Sequence, residues 1–221
     1  MMVSFDFLSK PIEIPNDKIS VLYIENQNLY RKTVAAFYAS ALEENNIIFS
    51  QNFNPINYKH ICFVPDVFTL DFSTAFTKKI YSDLADYSNA YLSEDLTALK
   101  SNITGFLEKL SFAFDYDFDY NPQFDVVDLL KMQSFKPALN KDDLLSALLD
   151  YIILVKKYLA PKCFVMLNLH NCFSADELDT LYKELIYQNI NILVVEGKKC
   201  FDTTFFEKVY IVDEDMCEIV E

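Results

Sequence analysis

The alternation of apolar and polar positions predicts strands near both ends of the chain. Ile19–Glu25 and Cys163–Leu169 are compact apolar runs of the kind found in strands that are buried on both faces. Alternating apolar residues between positions 3 and 14 favour a short opening hairpin. Further strand candidates are Ile47–Ser50, His60–Val64, Ile190–Val195, Val209–Val212 and Met216–Val220.

Helical spacing of apolar residues replaces this pattern between about residues 67 and 159. The predicted helices cover residues 72–84, 92–110, 124–132 and 141–159. Asn140 followed by Asp143 favours a capping box at the start of the last of these helices, and Pro161 ends it.

Two more helices are predicted between the strand candidates. Asn28 is the predicted N-cap of a helix that extends to about Glu44, and Ser174 with Glu177 predicts a capping box. Since strands and helices alternate at both ends of the chain, the predicted fold class is α/β with a parallel or mixed sheet. Residues 1–66 and 160–221 are expected to form this core, with residues 67–159 as an inserted α-helical domain.

Composition favours a folded, acidic protein. The 221 residues are 52% hydrophobic, which provides material for a large core and argues against disorder. The formal net charge of −14 argues against a uniformly basic nucleic-acid binder and against binding to an anionic membrane by net charge. We expect a soluble, cytoplasmic protein, since the five cysteines form no CxxC pair and neither a secretory signal nor an apolar run of about 20 residues is present.

The first predicted strand and helix stand where a P-loop protein has its phosphate-binding loop. Aligned on its Lys-Thr pair, the pattern G-x-x-x-x-G-K-[ST] falls on Asn26–Thr33, and Lys32 and Thr33 agree with it. Asn26 and Arg31 replace both glycines, and their side chains would obstruct the backbone nest that binds phosphate. The sequence therefore predicts a degenerate P-loop-like core. A nucleotide-dependent, ATPase-like enzyme stays open as an alternative.

Residues 114–128 form an acidic segment that contains no basic residue. Its five aspartates are Asp115, Asp117, Asp119, Asp125 and Asp128. The first three alternate with aromatic residues, so an extended backbone would place their carboxylates on one face and the rings of Tyr116 and Phe118 on the other. The last two are three positions apart, on the same side of a predicted helix.

Hard oxygen ligands in this number favour Ca²⁺ over Zn²⁺ as a bound ion. The segment is not an EF-hand, because Tyr120 stands where that loop needs Gly and Val126 stands where it needs Glu. A solvated acidic loop without metal, in which Asp125 stabilises the N-terminus of a helix, is the alternative interpretation.

The remaining polar motifs predict no catalytic residue. His60 lies two positions from Cys62, and His170 lies two positions from Cys172. A histidine at the end of a strand and a buried cysteine explain each pair better than a catalytic cysteine with a histidine base does. The chain has no serine elbow motif and no zinc-ligand spacing. We therefore expect a protein that is not an enzyme.

One stretch of the chain, residues 131–162, is locally basic, with a net charge of +3. Its lysines are Lys131, Lys136, Lys141, Lys156, Lys157 and Lys162. Lysines on the surfaces of helices explain part of this pattern, because lysines in the last turn of a helix stabilise that helix. The alternative is a cationic stripe that neutralises DNA phosphates without reading sequence, gathered around the opening of a symmetric oligomer.

The order of several short motifs resembles the short form of the Csn-type CRISPR-associated protein of type II-A systems, an accessory of spacer acquisition. The likeness covers nearly the full length of the chain. It is carried by Phe5–Pro11, Ile19–Glu25, Asn28–Tyr38, Val64–Asp66 with Asp71, Lys79–Leu84, Asp115–Asp128 leading into Leu129–Lys131, and Leu193–Glu196.

This resemblance implies a degenerate P-loop α/β core with an inserted helical domain, and a ring-shaped homotetramer that holds double-stranded DNA ends in a lysine-lined hole. It also implies Ca²⁺ bound by acidic residues of the helical part, for which the five aspartates are the candidates by position. The implied partners are the adaptation integrase complex and the effector nuclease, and no enzymatic activity is implied. The charge pattern suggests Lys131, Lys136, Lys141, Lys156 and Lys157 as DNA contacts. A protein-interaction scaffold with solvated aspartates is a further alternative.

Overall fold

The computed structural model describes residues 1–39, 46–114, 116, 118–119, 124–140, 142–199 and 204–220. The chain divides into two compact units. The α/β unit consists of Met1–Asp71 and Leu139–Glu221, and the helical unit is Phe72–Ala138. An α/β core built from both chain ends with a helical insert agrees with the predicted fold class.

A six-stranded mixed sheet forms the centre of the α/β unit. Its strands are β3 (Ile19–Ile24), β6 (Ile61–Val64), β7 (Cys163–Leu167), β8 (Ile192–Glu196), β9 (Glu207–Val212) and β10 (Glu218–Val220). They lie in the order β10-β9-β3-β8-β7-β6, with all pairs parallel except β9 with β10. Every residue of β3, β7 and β8 is buried, as expected for parallel strands that are covered on both faces.

A small antiparallel sheet packs against one face of the large one. It contains β1 (Met2–Ser4), β2 (Ile12–Glu13), β4 (Ile48–Gln51) and β5 (Asn54–Pro55) in the order β2-β1-β4-β5. The predicted opening hairpin is confirmed as β1 with β2. The strand predicted at Ile47–Ser50 belongs to this second sheet, because its alternating buried residues suit a sheet covered on one side.

Helices cover both faces of the large sheet. On one face, α1 (Gln27–Tyr38) and the small sheet share a core with Leu22, Ile24 and Val195. Residues that alternate with these, such as Tyr23 and Glu196, point to the other face. That face is covered by α5 (Leu144–Leu159) and α6 (Ala175–Tyr187), which bury the apolar residues on one side of each helix.

The helical unit contains α2 (Thr74–Tyr91), α3 (Ser93–Ser111) and α4 (Val126–Met132). Within this unit, the Tyr81 hydroxyl of α2 donates to the carbonyl of Leu130 in α4, 3.2 Å away. The insert is shorter than the predicted range 67–159, because α5 packs in the α/β unit. Within the described ranges, no helix combines the length and the apolar character that crossing a membrane requires.

The helix starts differ from the predictions at two places. Asn26 rather than Asn28 is the N-cap of α1, and its side chain accepts a hydrogen bond from the backbone N–H of Leu29 at 3.1 Å. Asp143 is itself the N-cap of α5 and accepts from the N–H of Ser146 at 3.0 Å. The capping box of Ser174 with Glu177 is confirmed at the start of α6.

Candidate functional site

The carboxyl edge of the large sheet has the arrangement that forms ligand crevices in α/β proteins. The chain leaves β3 towards α1 on one face and leaves β7 towards α6 on the other face. Ligands of open α/β sheets bind beyond the carboxyl ends of the strands at such a reversal of topology. This edge is therefore the candidate ligand crevice of the α/β unit.

The side chain of Tyr30 occupies this edge. Its hydroxyl donates a hydrogen bond to the Oδ1 atom of Asn168, which follows β7, at 2.9 Å. Its ring lies against Gly197, which follows β8, so that a Cβ atom added there would be 3.6 Å from Cζ of Tyr30. Burial raises the pKa of the Tyr30 hydroxyl, which keeps it neutral as a hydrogen-bond donor. The protein thus fills part of the crevice with its own side chain.

The segment aligned with a P-loop does not form one. Only Glu25 and Asn26 separate β3 from α1, so no loop is available to wrap a phosphate group. Lys32 and Thr33 lie in the second turn of α1 and line a cavity of about 280 Å³ between this helix and the first part of the chain. Their position agrees with a degenerate P-loop-like core. It leaves the ATPase-like alternative without a backbone loop that could bind phosphate.

A buried polar cluster lies on the sheet face that α6 covers. The imidazole of His170 contacts two carboxylates: Nδ1 lies 2.8 Å from Oε1 of Glu196, and Nε2 lies 2.7 Å from Oε1 of Glu207. The His170 side chain is 5% exposed, and the two carboxylates are 2% and 0% exposed. The fully buried Tyr182 from α6 packs beside them, where burial and then the negative charge of Glu207 raise the pKa of its hydroxyl.

Sequence reasoning missed this cluster. It placed His170 at the end of a strand, two positions from Cys172, and did not find the carboxylates, because Glu196 and Glu207 are 26 and 37 residues away along the chain. The sequence held only a weak sign of this cluster: Glu196 is the last residue of the apolar strand β8, and Glu207 is the first residue of the apolar strand β9.

The acidic segment is described only in part. Asp115 and Asp117 lie outside the described residues, and Asp119 is exposed. Asp125 is the N-cap of α4: its Oδ1 accepts from the N–H of Asp128 at 2.9 Å, and the carboxylate of Asp128 completes a capping box. The rings of Tyr116 and Phe118 pack together with their centroids 5.0 Å apart.

The described carboxylates of this segment do not gather into a metal site. In the ranges that the structure describes, no group of three or more His, Cys, Asp or Glu side chains is placed to hold an ion. Asp128 also lies 3.4 Å from the ammonium of Lys131. Asp125 and Asp128 therefore fit a Ca²⁺ ion only as members of a larger ligand set, because Ca²⁺ takes about 6–8 oxygen ligands.

A family model for the CRISPR-associated protein Cas_Csn2 matches residues 39–216. The chain belongs to the Cas_Csn2 family. No curated protein matches the Cas_Csn2 chain in sequence. A solved structure of a putative ABC transporter (ATP-binding protein) from Pyrococcus furiosus is similar, with 11% identity, coverage of 94% of this chain and 93% of that one, and a TM-score of 0.40.

In this Cas_Csn2 protein the candidate lysines belong to both units. Lys131 and Lys136 lie exposed in the helical unit. In the α/β unit, Lys157 lies over the ring of Tyr158, whereas the ammonium of Lys156 donates to the carbonyl of Gln188 at the end of α6. Lys141 lies outside the described residues. Lys156 thus has a structural contact that the sequence did not indicate.

Helix α3 of the Cas_Csn2 protein exposes an apolar side. None of its 19 residues is buried. Leu99, Phe106 and Leu110 are 36%, 64% and 49% exposed and recur at the spacing of one helix face. Exposed apolar side chains that are contiguous mark surfaces that contact another molecule.

Proposed function

We propose that this protein binds double-stranded DNA ends without sequence preference, as a calcium-dependent, ring-shaped homotetramer that assists CRISPR spacer acquisition. The observation that carries the proposal is membership of the Cas_Csn2 family over residues 39–216. A role associated with CRISPR follows from the family itself. The DNA, the calcium ion and the ring are the parts that experiments must test.

Self-association is supported by the apolar side of α3. A helix of this length gains most of its stability by packing, yet the described residues of α3 are all exposed or half-buried. A second subunit that covers Leu99, Phe106 and Leu110 would remove this apolar surface from water.

Binding to DNA requires that cations be concentrated locally, because the chain as a whole carries a net charge of −14. Among the described residues, Lys131, Lys136 and Lys157 are the exposed candidates, and assembly would multiply their number around a shared opening. Contacts of lysine with phosphate are independent of sequence and weaken steeply as salt concentration rises.

A calcium ion would reduce the repulsion between the acidic segment and DNA. The candidates to hold it are Asp115, Asp117, Asp119, Asp125 and Asp128. Their carboxylates are hard ligands of the kind that Ca²⁺ prefers, and the remaining ligands can come from water or from another subunit. When bound, the ion supplies positive charge and a link between chain segments.

We further propose that the protein acts without catalysis of its own, next to the adaptation integrase complex and the effector nuclease. Support comes from the direct connection between β3 and α1, which leaves no phosphate-binding loop, and from Tyr30 in the crevice. The implied role is to present DNA ends to those enzymes.

A gel-shift assay with linear duplex DNA tests the proposal. Wild-type protein is expected to retard DNA in Ca²⁺ and to retard it less in chelator, with affinity that falls as salt concentration rises. The double variant Lys131→Ala/Lys136→Ala should bind more weakly, whereas the control Lys183→Ala, whose ammonium lies over the ring of Phe206, should bind as wild type does. Absence of binding in both conditions contradicts the proposed function.

Measurements of molecular size with and without Ca²⁺ distinguish the calcium-dependent assembly from the alternative, a protein-interaction scaffold with solvated aspartates. The variant Asp117→Asn/Asp119→Asn should lose the effect of Ca²⁺ on oligomeric state and melting temperature. The control Asp83→Asn/Asp86→Asn removes the same charge from exposed positions of α2 and should keep that effect. If wild-type protein does not respond to Ca²⁺ at all, the aspartates are solvated and the calcium proposal is wrong.

A further inference from the structure

The turn between β4 and β5 carries a bulky side chain where the backbone favours glycine. Gln51 pairs with Asn54, so Asn52 and Phe53 form a two-residue turn of this hairpin. Their φ angles are 52° and 63°, and two successive positive φ angles are typical of a type I′ turn. Glycine is preferred at the second of these positions, because a Cβ atom is strained in this left-handed conformation. Phe53 therefore destabilises its own turn.

The ring of Phe53 gains almost no packing in return for this strain. Phe53 is 96% exposed, and the residues beside it, Asn52 and Asn54, are exposed as well. Backbone strain of this kind concentrates at sites that bind other molecules. Since the protein itself does not cover the ring, the ring is available to another molecule.

The surface of this hairpin has a composition unlike that of the chain as a whole. Residues 46–65 contain no aspartate or glutamate, although the chain has 33 acidic residues. Exposed amide side chains take their place: Gln51, Asn52, Asn54 and Asn57. An amide both donates and accepts hydrogen bonds, as the edges of nucleobases do. A polyanion can therefore approach this hairpin without meeting a carboxylate of the segment itself.

Two exposed lysines follow the hairpin. Lys59 lies in the short helical turn Tyr58–His60 after β5. The backbone N–H of Lys162 donates to the carbonyl of His60, 2.7 Å away, which places Lys162 beside this turn. In the part of the chain that the structure describes, neither ammonium forms an ion pair. Both ammonium groups are therefore able to contact phosphate groups.

We propose that Phe53 stacks on a nucleobase of bound DNA, with Lys59 and Lys162 contacting phosphates of the same DNA. Bases inside an intact duplex are covered on both faces by their neighbours, so the ring contacts a terminal or unpaired base at a DNA end. Stacking on an aromatic side chain tolerates every base, in agreement with binding that does not read sequence. The inference rests on the proposed binding of DNA ends and adds the side chain that holds a base.

The sequence contains no tryptophan, which makes this contact directly measurable. Phe53→Trp introduces one indole into the full chain, and stacking on a base should quench its fluorescence. The probe is linear duplex DNA with short single-stranded ends, added in Ca²⁺. The control Tyr187→Trp, at a position that is 79% exposed on α6, should keep its emission when DNA is added. Emission of Phe53→Trp that DNA leaves unchanged, while the gel shift shows binding, would overturn the inference.

Affinity for the same DNA separates stacking from a contact that is only apolar. Phe53→Ala and Phe53→Leu should bind about tenfold more weakly than wild type, because neither side chain stacks on a base. Phe53→Trp should bind as wild type does. If Phe53→Ala binds as tightly as wild type, the inference is wrong and the proposed function stands, whereas wild-type protein that binds no DNA would contradict both.

The variant Phe53→Gly gives a readout that a structural role of the ring would not produce. Glycine relieves the strain of the positive φ angle, so the melting temperature should rise by about 2–4 °C while affinity for DNA falls about tenfold. A lower melting temperature would show that the ring stabilises the hairpin, and a smaller oligomer would show that the ring contacts a second copy of the chain. Either result would overturn the inference.

Discussion

Buried polar side chains determine much of what is specific about this molecule at the scale of single residues. Glu196 and Glu207 are stable in the interior because His170 stands between them, and Tyr30 is stable in the crevice because Asn168 accepts its hydroxyl. A buried polar group without such a partner costs about 1–3 kcal/mol or more. These pairs therefore specify which segments meet at the edges of the sheet.

The hydrogen bond between Tyr30 and Asn168 can be measured by removing one hydroxyl. Tyr30→Phe is expected to lower the free energy of unfolding by about 1 kcal/mol, because Oδ1 of Asn168 loses its donor. Chemical denaturation followed by circular dichroism provides the measurement. The control Tyr38→Phe, with its side chain 62% exposed, should change stability by less than about 0.5 kcal/mol. Equal losses in the two variants would contradict this assignment.

The same residues show where sequence reasoning stops. Asp125 could be placed at a helix start because its partner is three positions away, and the structure shows it as the N-cap of α4. His170 could not be paired with Glu207, since that contact depends on how the turn after β7 lies against the start of β9. Local hydrogen bonds leave a pattern in sequence, whereas long-range contacts between polar residues do not.

At the scale of elements, apolar runs and caps were sufficient to place most strands and helices. β3, β7, β8 and β9 follow from apolar runs, and α6 follows from its capping box. The exact start of α1 could not be predicted, because Asn26 and Asn28 are equally good caps by residue type. The role of β4 could not be predicted either, since pattern alone does not say which of two sheets a short strand joins.

The capping box of α6 makes a measurable contribution. Ser174 donates to the carboxylate of Glu177 at 2.7 Å and caps the first turn. Ser174→Ala should therefore lower the free energy of unfolding by about 1 kcal/mol in thermal or chemical denaturation. Ser101→Ala, at an exposed position inside α3, should be neutral or slightly stabilising because alanine favours helix. The opposite order of the two variants would show that the box does not stabilise α6.

The turn between β3 and α1 leads to a prediction about nucleotides. Isothermal titration of the protein with ATP and Mg²⁺ should give no saturable heat, because two residues connect the strand to the helix and no backbone nest is formed. Saturable binding that Lys32→Ala abolishes would contradict this expectation and favour the ATPase-like alternative.

At the scale of the whole molecule, charge and apolar surface act in opposite directions. A net charge of −14 keeps copies of the chain apart, while the exposed apolar side of α3 favours association. The sequence predicted a helical insert over residues 67–159, but α5 packs in the α/β unit. The apolar stripe of α5 can pack on a sheet as well as on another helix, so the pattern did not determine this boundary.

A charge placed on α3 tests this surface. Phe106→Asp is expected to shift the protein to a smaller oligomer in size-exclusion chromatography with light scattering, because an interface cannot easily bury an unpaired carboxylate. The control Phe53→Asp changes a side chain that is 96% exposed in the α/β unit and should leave the oligomer intact. An unchanged mass for Phe106→Asp would show that α3 does not mediate assembly.

The strand order also sets the sequence of events during synthesis on the ribosome. β3 (Ile19–Ile24) is made long before both of its neighbours, β8 and β9, which come from residues 192–212. The helical insert is built from one continuous stretch of the chain and can fold as soon as it leaves the exit tunnel. The nascent chain therefore carries an apolar strand without its sheet neighbours until β8 and β9 emerge, and only then can the central sheet close.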